Sequence, residues 1–510
     1  MTTFADPSPL LGDEYETLGA LLQAAAREFP DQEALVLGDR RLTYRGWHEA
    51  AMRLGAELVA RGFEPGQIGL IYLDSTIEYA IAFAAVQAAG GIATGVNLRL
   101  ANRYVGAIAE RAKPAVVFAH VGHEVPFDEA LVLRCDPGSM AAKGPGLPAL
   151  VERRADDIAT IIWTSGTTGL PKGAAMDHAN LRAATRTSGP LAAPFGRKIN
   201  STPFAHAGFT GKIWEQIAFG MTLVINTPPW TAHKMLQLLV DEHITIGAGV
   251  PAQWAKLVEL PELASADLSA LQVGITATAP APPELVERVT TALGIPLIVR
   301  YSMTECPSMT GTRPGDDAEV LFNTVGRPQR GVEIELVEED LRPVAAGEIG
   351  RIRVRAAQVM RGYWDDPEQT ALVLSEDGWL LTSDLARLRP DGNLVIAGRV
   401  SDMYIRGGYN VYPIEVERVL SDHPQVRTAA VIGRPAPVIG EIGVAFVEPA
   451  DPADPPSLAE LRAWVASQLA DYKAPDELVI VDALPLNLVM KVDKLALRDM
   501  LATAEVIAFR

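Results

Sequence analysis

Residues 164–173 read TSGTTGLPKG and follow Ala159-Thr160-Ile161-Ile162-Trp163, an apolar run with the length and composition of a buried strand. A strand running into such a loop places it at the carboxyl edge of a sheet, where α/β proteins bind nucleotides. The chemistry of the loop suits a polyphosphate. Gly166, Gly169 and Gly173 let backbone N–H groups come close to an anion, the hydroxyls of Thr164, Ser165, Thr167 and Thr168 add donors and oxygen ligands for Mg2+, and Lys172 adds a compact positive charge. It is not a Walker loop, because Pro171 precedes Lys172 and Gly173 follows it where Ser or Thr is required.

The whole string resembles the signature loop of the adenylate-forming superfamily, which holds acyl-CoA synthetases, firefly luciferase and nonribosomal peptide synthetase adenylation domains. The resemblance implies ATP and AMP as ligands with Mg2+ beside the phosphates. It extends to four further segments. Tyr301-Ser302-Met303-Thr304-Glu305 follows an apolar strand, and a carboxylate at a strand exit suits Mg2+. By resemblance Glu305 is the metal ligand, together with the Thr164 hydroxyl, while Thr304 contacts phosphate and Tyr301 packs on adenine with Ser302 and Met303 lining the site. Read alone, the pentad fits a core tyrosine and a solvated glutamate equally well.

Asp384, after Thr382-Ser383, falls where the family holds the ribose hydroxyls, and Arg399 falls on its second ribose or phosphate contact. Without the resemblance they read as a surface ion pair. Gly407-Gly408, within IRGGYNVYPIEVE at 405–417, resembles the glycine loop that lines the pantetheine tunnel in acyl-CoA synthetases, which implies coenzyme A as acceptor; as residues alone they equally make a turn. Pro413 is placed to start the next helix. Lys491, in PLNLVMKVDKL, falls on the catalytic lysine of the family, a mobile ammonium for charge developing at the α-phosphate. Two positions depart from the pattern: Met490 stands where Gly usually precedes the lysine, and Ser401 where the hinge commonly carries Asp or Lys, with Asp402 next to it.

The acyl pocket is expected beside Phe204-Ala205-His206-Ala207-Gly208-Phe209, with His206 orienting the carboxylate, although a structural histidine reads equally from the residues. Thr276, Ala277, Thr278, Ala279 and Pro280 sit where the family approaches adenine and the acyl group, and Lys212, Gly249-Val250-Pro251, Thr276 and Met303 are wall candidates. Ala205, where amino-acid-activating domains place Asp, disfavours an α-amino acid substrate. The chain ends soon after the lysine motif, which is read as a stand-alone ligase without an appended carrier domain.

With 510 residues, 48% hydrophobic and 21% charged, the chain is long enough for two or more cores. Net charge of −18 argues against nucleic acid as a partner, and the acidic, proline-bearing start lacks the features of a signal peptide. The most hydrophobic window, 79–96, reads as a core helix running into a strand rather than a membrane span. Two isolated cysteines, Cys135 and Cys306, fit a reducing cytoplasm and packing roles. The fold class read here is α/β: a large body of layered, largely parallel sheets plus a β-rich subdomain over residues 1–399, then a small mobile α+β domain over 400–510. Strands are expected near 67–73, 115–119, 222–225, 244–248, 297–301, 332–337, 349–354, 393–397, 427–432 and 443–447, helices near 414–421 and 458–469, and a loop over 448–456. The function implied is ATP-dependent activation of a carboxylic acid and transfer to CoA; the alternative acceptor is a carrier protein, an amine or another small nucleophile. A homodimer is compatible with this reading.

Overall fold

In the computed structural model, which describes residues 8–122, 125–128, 131–135, 144–164, 170–279, 281–486, 492–501 and 504–508, the run ahead of the glycine-rich loop is strand Ile158–Thr164. It belongs to a seven-stranded sheet and pairs in parallel with Ile92–Gly95, followed outward by Ile68–Tyr72, Val116–His120 and Val132–Cys135. Buried on both faces, the first four of these read as near-continuous apolar runs, whereas the edge strand Val132–Cys135 alternates. On its other side the chain returns as Lys172–Asp177, antiparallel, with Thr164 opposite Lys172, and the two-residue strand Gly362–Tyr363 closes that edge.

A nine-stranded sheet holds six parallel strands in the spatial order Leu297–Met303, Val273–Thr276, Ile246–Gly249, Arg197–Asn200, Thr222–Ile225 and Glu33–Leu37, with antiparallel strands at both edges. One apolar core joins both sheets through the helices packed with it: Leu18–Glu28, Tyr44–Ala60 and Ile77–Ala88. Thr17, Thr43 and Thr76 cap these helices by accepting a backbone N–H three residues on. Every residue of Ile77–Ala88 is buried, so Glu78 and Gln87 need partners; Glu78 pairs with Arg40, and Gln87 Nε2 donates to the Ala159 carbonyl at 2.8 Å. Each large apolar side chain taken from water here contributes about 1.5–3 kcal/mol.

Strands Val332–Val337, Ile349–Ala356, Leu380–Leu388 and Leu394–Arg399 form a separate antiparallel sheet. The backbone then passes from Arg399 to Tyr404 into a six-stranded sheet built on the long hairpin Val426–Ala436 and Gly440–Pro449, with helices Pro413–Ser421 and Leu458–Ala466 against it. Pro413 stands in the first turn of its helix, as expected. The loop expected over 448–456 is shorter than that, because Glu448 and Pro449 still pair with Thr428 and Val426. Pro449 is tolerated because it is the last residue of its strand. Among the described residues no helix is long and apolar enough to cross a membrane.

Candidate active site

Parallel strands send their carboxyl ends to one edge of a sheet, and Thr164 in the seven-stranded sheet and Tyr301 to Met303 in the nine-stranded one stand at such ends. Thr164 ends its strand, its Oγ1 donating to the Lys172 carbonyl at 3.3 Å. Ser165, Gly166, Thr167, Thr168, Gly169, Pro280 and Lys491 lie outside the described residues. Strand Leu297–Met303 delivers Tyr301, Ser302 and Met303, and Thr304 and Glu305 form the tight turn into Cys306–Gly311, with Met303 opposite Cys306. Cys306 is fully buried, and burial pushes its thiol well above the ordinary range, in keeping with packing.

A residue not singled out from the sequence connects these two groups. Tyr363 pairs by backbone with Ala174 at the edge of the seven-stranded sheet, while its hydroxyl donates to Glu305 Oε1 at 2.8 Å in the turn of the nine-stranded one. The Lys172 ammonium lies 5.2 Å over the Tyr363 ring and donates to Gln369 Oε1 at 2.7 Å. Burial, and then the Glu305 charge, push the Tyr363 phenol far above its usual value, so it stays a donor. Glu305 is 8% exposed, and its backbone carbonyl accepts from Met360 N at 2.9 Å, which fixes the turn from behind. The sequence signal for Tyr363 was an aromatic pair after a glycine, Gly362-Tyr363-Trp364.

Asp384, Arg399 and Tyr301 come together. Asp384 and Arg399 face each other across an antiparallel pair; Arg399 Nε donates to Asp384 Oδ1 at 2.9 Å and Tyr301 Oη donates to Oδ2 at 2.7 Å. Thr382 Oγ1 accepts the Asp384 N–H at 3.1 Å. An ionised carboxylate offers about four acceptor positions, so two remain for vicinal hydroxyls. Burial, then the Asp384 charge, hold the Tyr301 phenol well above its ordinary range.

His206 stands at the N-cap position of the short helix Ala207–Thr210, without a side-chain capping bond, and this helix packs on strand Ile158–Thr164. Phe204 and Phe209 stack at 3.8 Å and fix this segment. Gly95 lets it approach: a Cβ there would lie 2.9 Å from Ala205 Cα and 1.9 Å from Tyr79 Oη. Asn97 is a second partner that the sequence did not reveal. Its Oδ1 accepts from Arg99 N at 3.0 Å, which turns Nδ2 toward His206 Nε2 at 3.2 Å. After strand Val273–Thr276, Thr278 adopts φ +75° and is exposed, a left-handed backbone that β-branched residues rarely take; Ala279 follows it.

Gly407 and Gly408, at φ +57° and +84°, make the two-residue turn of hairpin Tyr404–Arg406 and Tyr409–Val411, and Gly407 N donates to the Ile439 carbonyl at 2.8 Å. Between Arg399 and this hairpin, Ser401 Oγ donates to Asp402 Oδ1 at 3.2 Å, and Asp402 pairs with Lys494 at 3.4 Å. Helix Pro413–Ser421 packs on strand Leu394–Arg399, and Arg418 hydrogen-bonds Asn323.

The chain matches the AMP-binding enzyme family over residues 22–364 and the AMP-binding enzyme C-terminal domain over 415–491. It is 33% identical to the 3-[(3aS,4S,7aS)-7a-methyl-1,5-dioxo-octahydro-1H-inden-4-yl]propanoyl:CoA ligase of Mycobacterium tuberculosis, across 96% of this chain and 99% of that one. Among solved structures it is similar to ATP-bound MatB from Rhodopseudomonas palustris, with TM-score 0.86 and 27% identity over 95% of this chain and 99% of that one. It is also similar to o-succinylbenzoate CoA synthetase from Bacillus subtilis in complex with its acyl-adenylate intermediate, with TM-score 0.83 and 27% identity over 95% and 98% of the two chains.

Proposed function

Because this chain belongs to the AMP-binding enzyme family, we propose that it is an AMP-forming carboxylic acid:CoA ligase. The observation that carries this reading is that one strand and the turn after it tie together two groups from three sheets, the Lys172–Tyr363–Glu305 group through Glu305 and the Tyr301–Asp384–Arg399 group through Tyr301. The first suits phosphates and a cation; the second suits a ribose with its base. In the first half-reaction a carboxylate oxygen of the acid attacks the α-phosphorus, the bond to the β-phosphate bridge breaks, and pyrophosphate leaves. In the second, the CoA thiol gives up its proton, its sulfur attacks the acyl carbonyl, the bond to the phosphate oxygen breaks, and AMP leaves. Neither step asks the protein for a covalent bond, so its work is positioning and charge stabilisation.

Each residue has a part in this scheme. Lys172 and the glycine-rich loop steer the β- and γ-phosphates, Asp384 and Arg399 hold the ribose, Tyr301 packs on adenine, and Thr278 with Ala279 approaches the adenine and acyl ends. His206, oriented by Asn97, sits beside the carboxylate. The donor set fits Mg2+: Glu305 and Thr164 offer hard oxygens, Glu305 Oε1 alone is engaged by Tyr363, and no three His, Cys, Asp or Glu converge as a metal cage among the described residues. A small divalent ion held by one or two protein oxygens and substrate phosphates asks for no more. When bound, it neutralises phosphate charge.

Residues 400–510 form the mobile domain of this proposal, pivoting at Ser401 and Asp402. One orientation presents Lys491 for adenylation and the other presents Gly407-Gly408 to the pantetheine arm. A cytoplasmic setting fits the two buried free thiols, Cys135 and Cys306. The test is acid-dependent pyrophosphate release over a panel of ring-bearing and aliphatic acids, followed by thioester formation with CoA. Lys491→Ala is expected to abolish adenylation and largely spare thioester formation from supplied acyl-adenylate. Acid-dependent AMP release that ignores CoA but responds to a carrier protein or an amine overturns the assignment of CoA as acceptor.

A further inference from the structure

Three residues past Asp384, about 10 Å further along the same strand, lies a cleft of about 400 Å3 that the nucleotide scheme leaves unused. Strand Leu380–Leu388 lends it Arg387 and Leu388, and Val395 stands opposite Arg387 on the neighbouring strand Leu394–Arg399. Arg389 follows in the turn between the two strands. Helix Ala318–Asn323 supplies Glu319 and Asn323, and helix Pro413–Ser421 supplies Arg418. The large body and a helix of the last domain therefore share one concavity. Its size falls within the range of small-molecule sites, about 300–1,000 Å3.

In a chain of net charge −18, three guanidinium groups here line a cleft with one carboxylate. Both oxygens of that carboxylate are engaged: Glu319 Oε1 accepts from Arg389 Nη1 at 2.8 Å and Oε2 from Asn323 Nδ2 at 2.9 Å. Arg389 is balanced, because its other arm pairs with Asp391 at 3.1 Å. Arg387 is exposed and makes no hydrogen bond or ion pair among the described residues. Arg418, also exposed, gives one bond to the neutral amide oxygen of Asn323, which leaves most of its N–H donors open. Glu284 feels the Arg418 charge, but neither it nor Asp422 beside it lines the cleft. Two guanidinium forks thus face one cavity from different parts of the chain, and Leu388, 41% exposed, adds an apolar patch between them and Val395.

We propose that this cleft is a second ligand site, separate from the candidate active site, which takes a small phosphate monoester: Arg387 and Arg418 grip the phosphate and Leu388 with Val395 receives the apolar or flat body of the molecule. A guanidinium fork matches the spacing of phosphate oxygens, and two uncompensated positive charges match a group that carries close to two negative ones at neutral pH. A concavity lined by one sign of charge also concentrates such an anion before contact. Because the grip comes from both sides, an occupied cleft favours the stance in which Arg387 and Arg418 face each other over any other stance of the last domain.

The test is calorimetric titration of the full chain with phenyl phosphate and with inorganic phosphate, in the absence of ATP, acid and CoA, so that it stands or falls apart from the ligase reading. Phenyl phosphate is expected to bind the wild type about tenfold or more tightly than inorganic phosphate, through the apolar patch. Its Kd should rise about tenfold or more in Arg387→Ala and again in Arg418→Gln, which keeps an N–H donor for Asn323 while removing the charge. Two further variants each remove a positive charge elsewhere: Arg61→Ala on the surface and Lys172→Ala in the candidate active site, and both should leave the Kd unchanged. Thermal unfolding establishes that each variant is folded. A wild type that does not bind phenyl phosphate, or binds both probes equally, overturns the proposal. So does a folded cleft variant with wild-type affinity, or an equal loss in Arg61→Ala or Lys172→Ala.

Discussion

Replacing Tyr363 with Phe removes one oxygen and tests whether the two sheets act together on ATP. The hydroxyl donates to Glu305 at 2.8 Å, and Glu305 is 8% exposed, so water does not readily take its place. A hydrogen bond to a buried charged group contributes about 1.5–3 kcal/mol, which in transition-state terms is roughly 10- to 150-fold. Phe keeps the ring, so the Lys172 contact at 5.2 Å survives; Tyr363→Leu removes that too and adds about 0.5–1 kcal/mol. The assay is ATP–pyrophosphate exchange at saturating acid, read as kcat/KM for ATP, with thermal unfolding run alongside. Because the hydroxyl acts through Glu305, a double-mutant cycle with Glu305→Gln should show coupling of about 1–2 kcal/mol. The reasoning fails if Tyr363→Phe stays within about twofold of wild type, or if the two losses simply add.

Two further outcomes follow from the same geometry and from burial. Asp384→Asn should lower kcat/KM for ATP by about 10- to 100-fold, and the variant should no longer distinguish ATP from its 3′-deoxy analogue; retained discrimination would remove Asp384 from the ribose. His178 accepts the Leu18 N–H on Nδ1 at 3.2 Å, and burial, aided by Arg153, pushes its pKa down to about 4. The unfolded chain binds a proton there near pH 6.5, so this contribution is fully present above pH 6.5 and is lost as pH falls toward 4, by about 3 kcal/mol in all. The stability of wild type relative to His178→Gln should therefore fall by about 3 kcal/mol as pH drops from 6.5 to 4, and parallel curves over that range would refute the assignment.

Local signals in the chain announced local structure well. Strands at 222–225 and 332–337 match the apolar runs residue for residue, and Pro413 opens its helix where its fixed φ is an advantage. The turn holding Thr304 and Glu305 and the cross-strand partner of Asp384 were legible as motifs but not as neighbours, because their contacts join positions far apart in sequence. Tyr363 shows why: its role is set by an edge pairing with Ala174 and a reach of 58 positions to Glu305, and neither leaves a periodic trace. Lys212 was singled out as a pocket-wall residue, but the sharing of Glu215 between it and Lys198 could not be read from the chain, because the partners come from a strand and a helix separate in sequence. The loop expected over 448–456 gave way at its start because the register of a long hairpin outweighs the turn preference of Pro449.

The pairing of Asp384 with Arg399 has a consequence for how the protein is wired. Arg399 ends its strand, its carbonyl accepts from Asp402 N and Met403 N at 3.1 Å, and Val400 N donates to the Ser383 carbonyl at 2.9 Å. The carboxylate assigned to the sugar and the peptide units that lead into the last sheet are therefore held in one hydrogen-bonded patch. Under the proposed assignment of Asp384 to the ribose, a nucleotide would arrive or leave within a few ångströms of the crossing point, and the stance of the final hundred residues would act on it in return. Signalling between the two needs no long route through the core; the message and its reader are cross-strand neighbours.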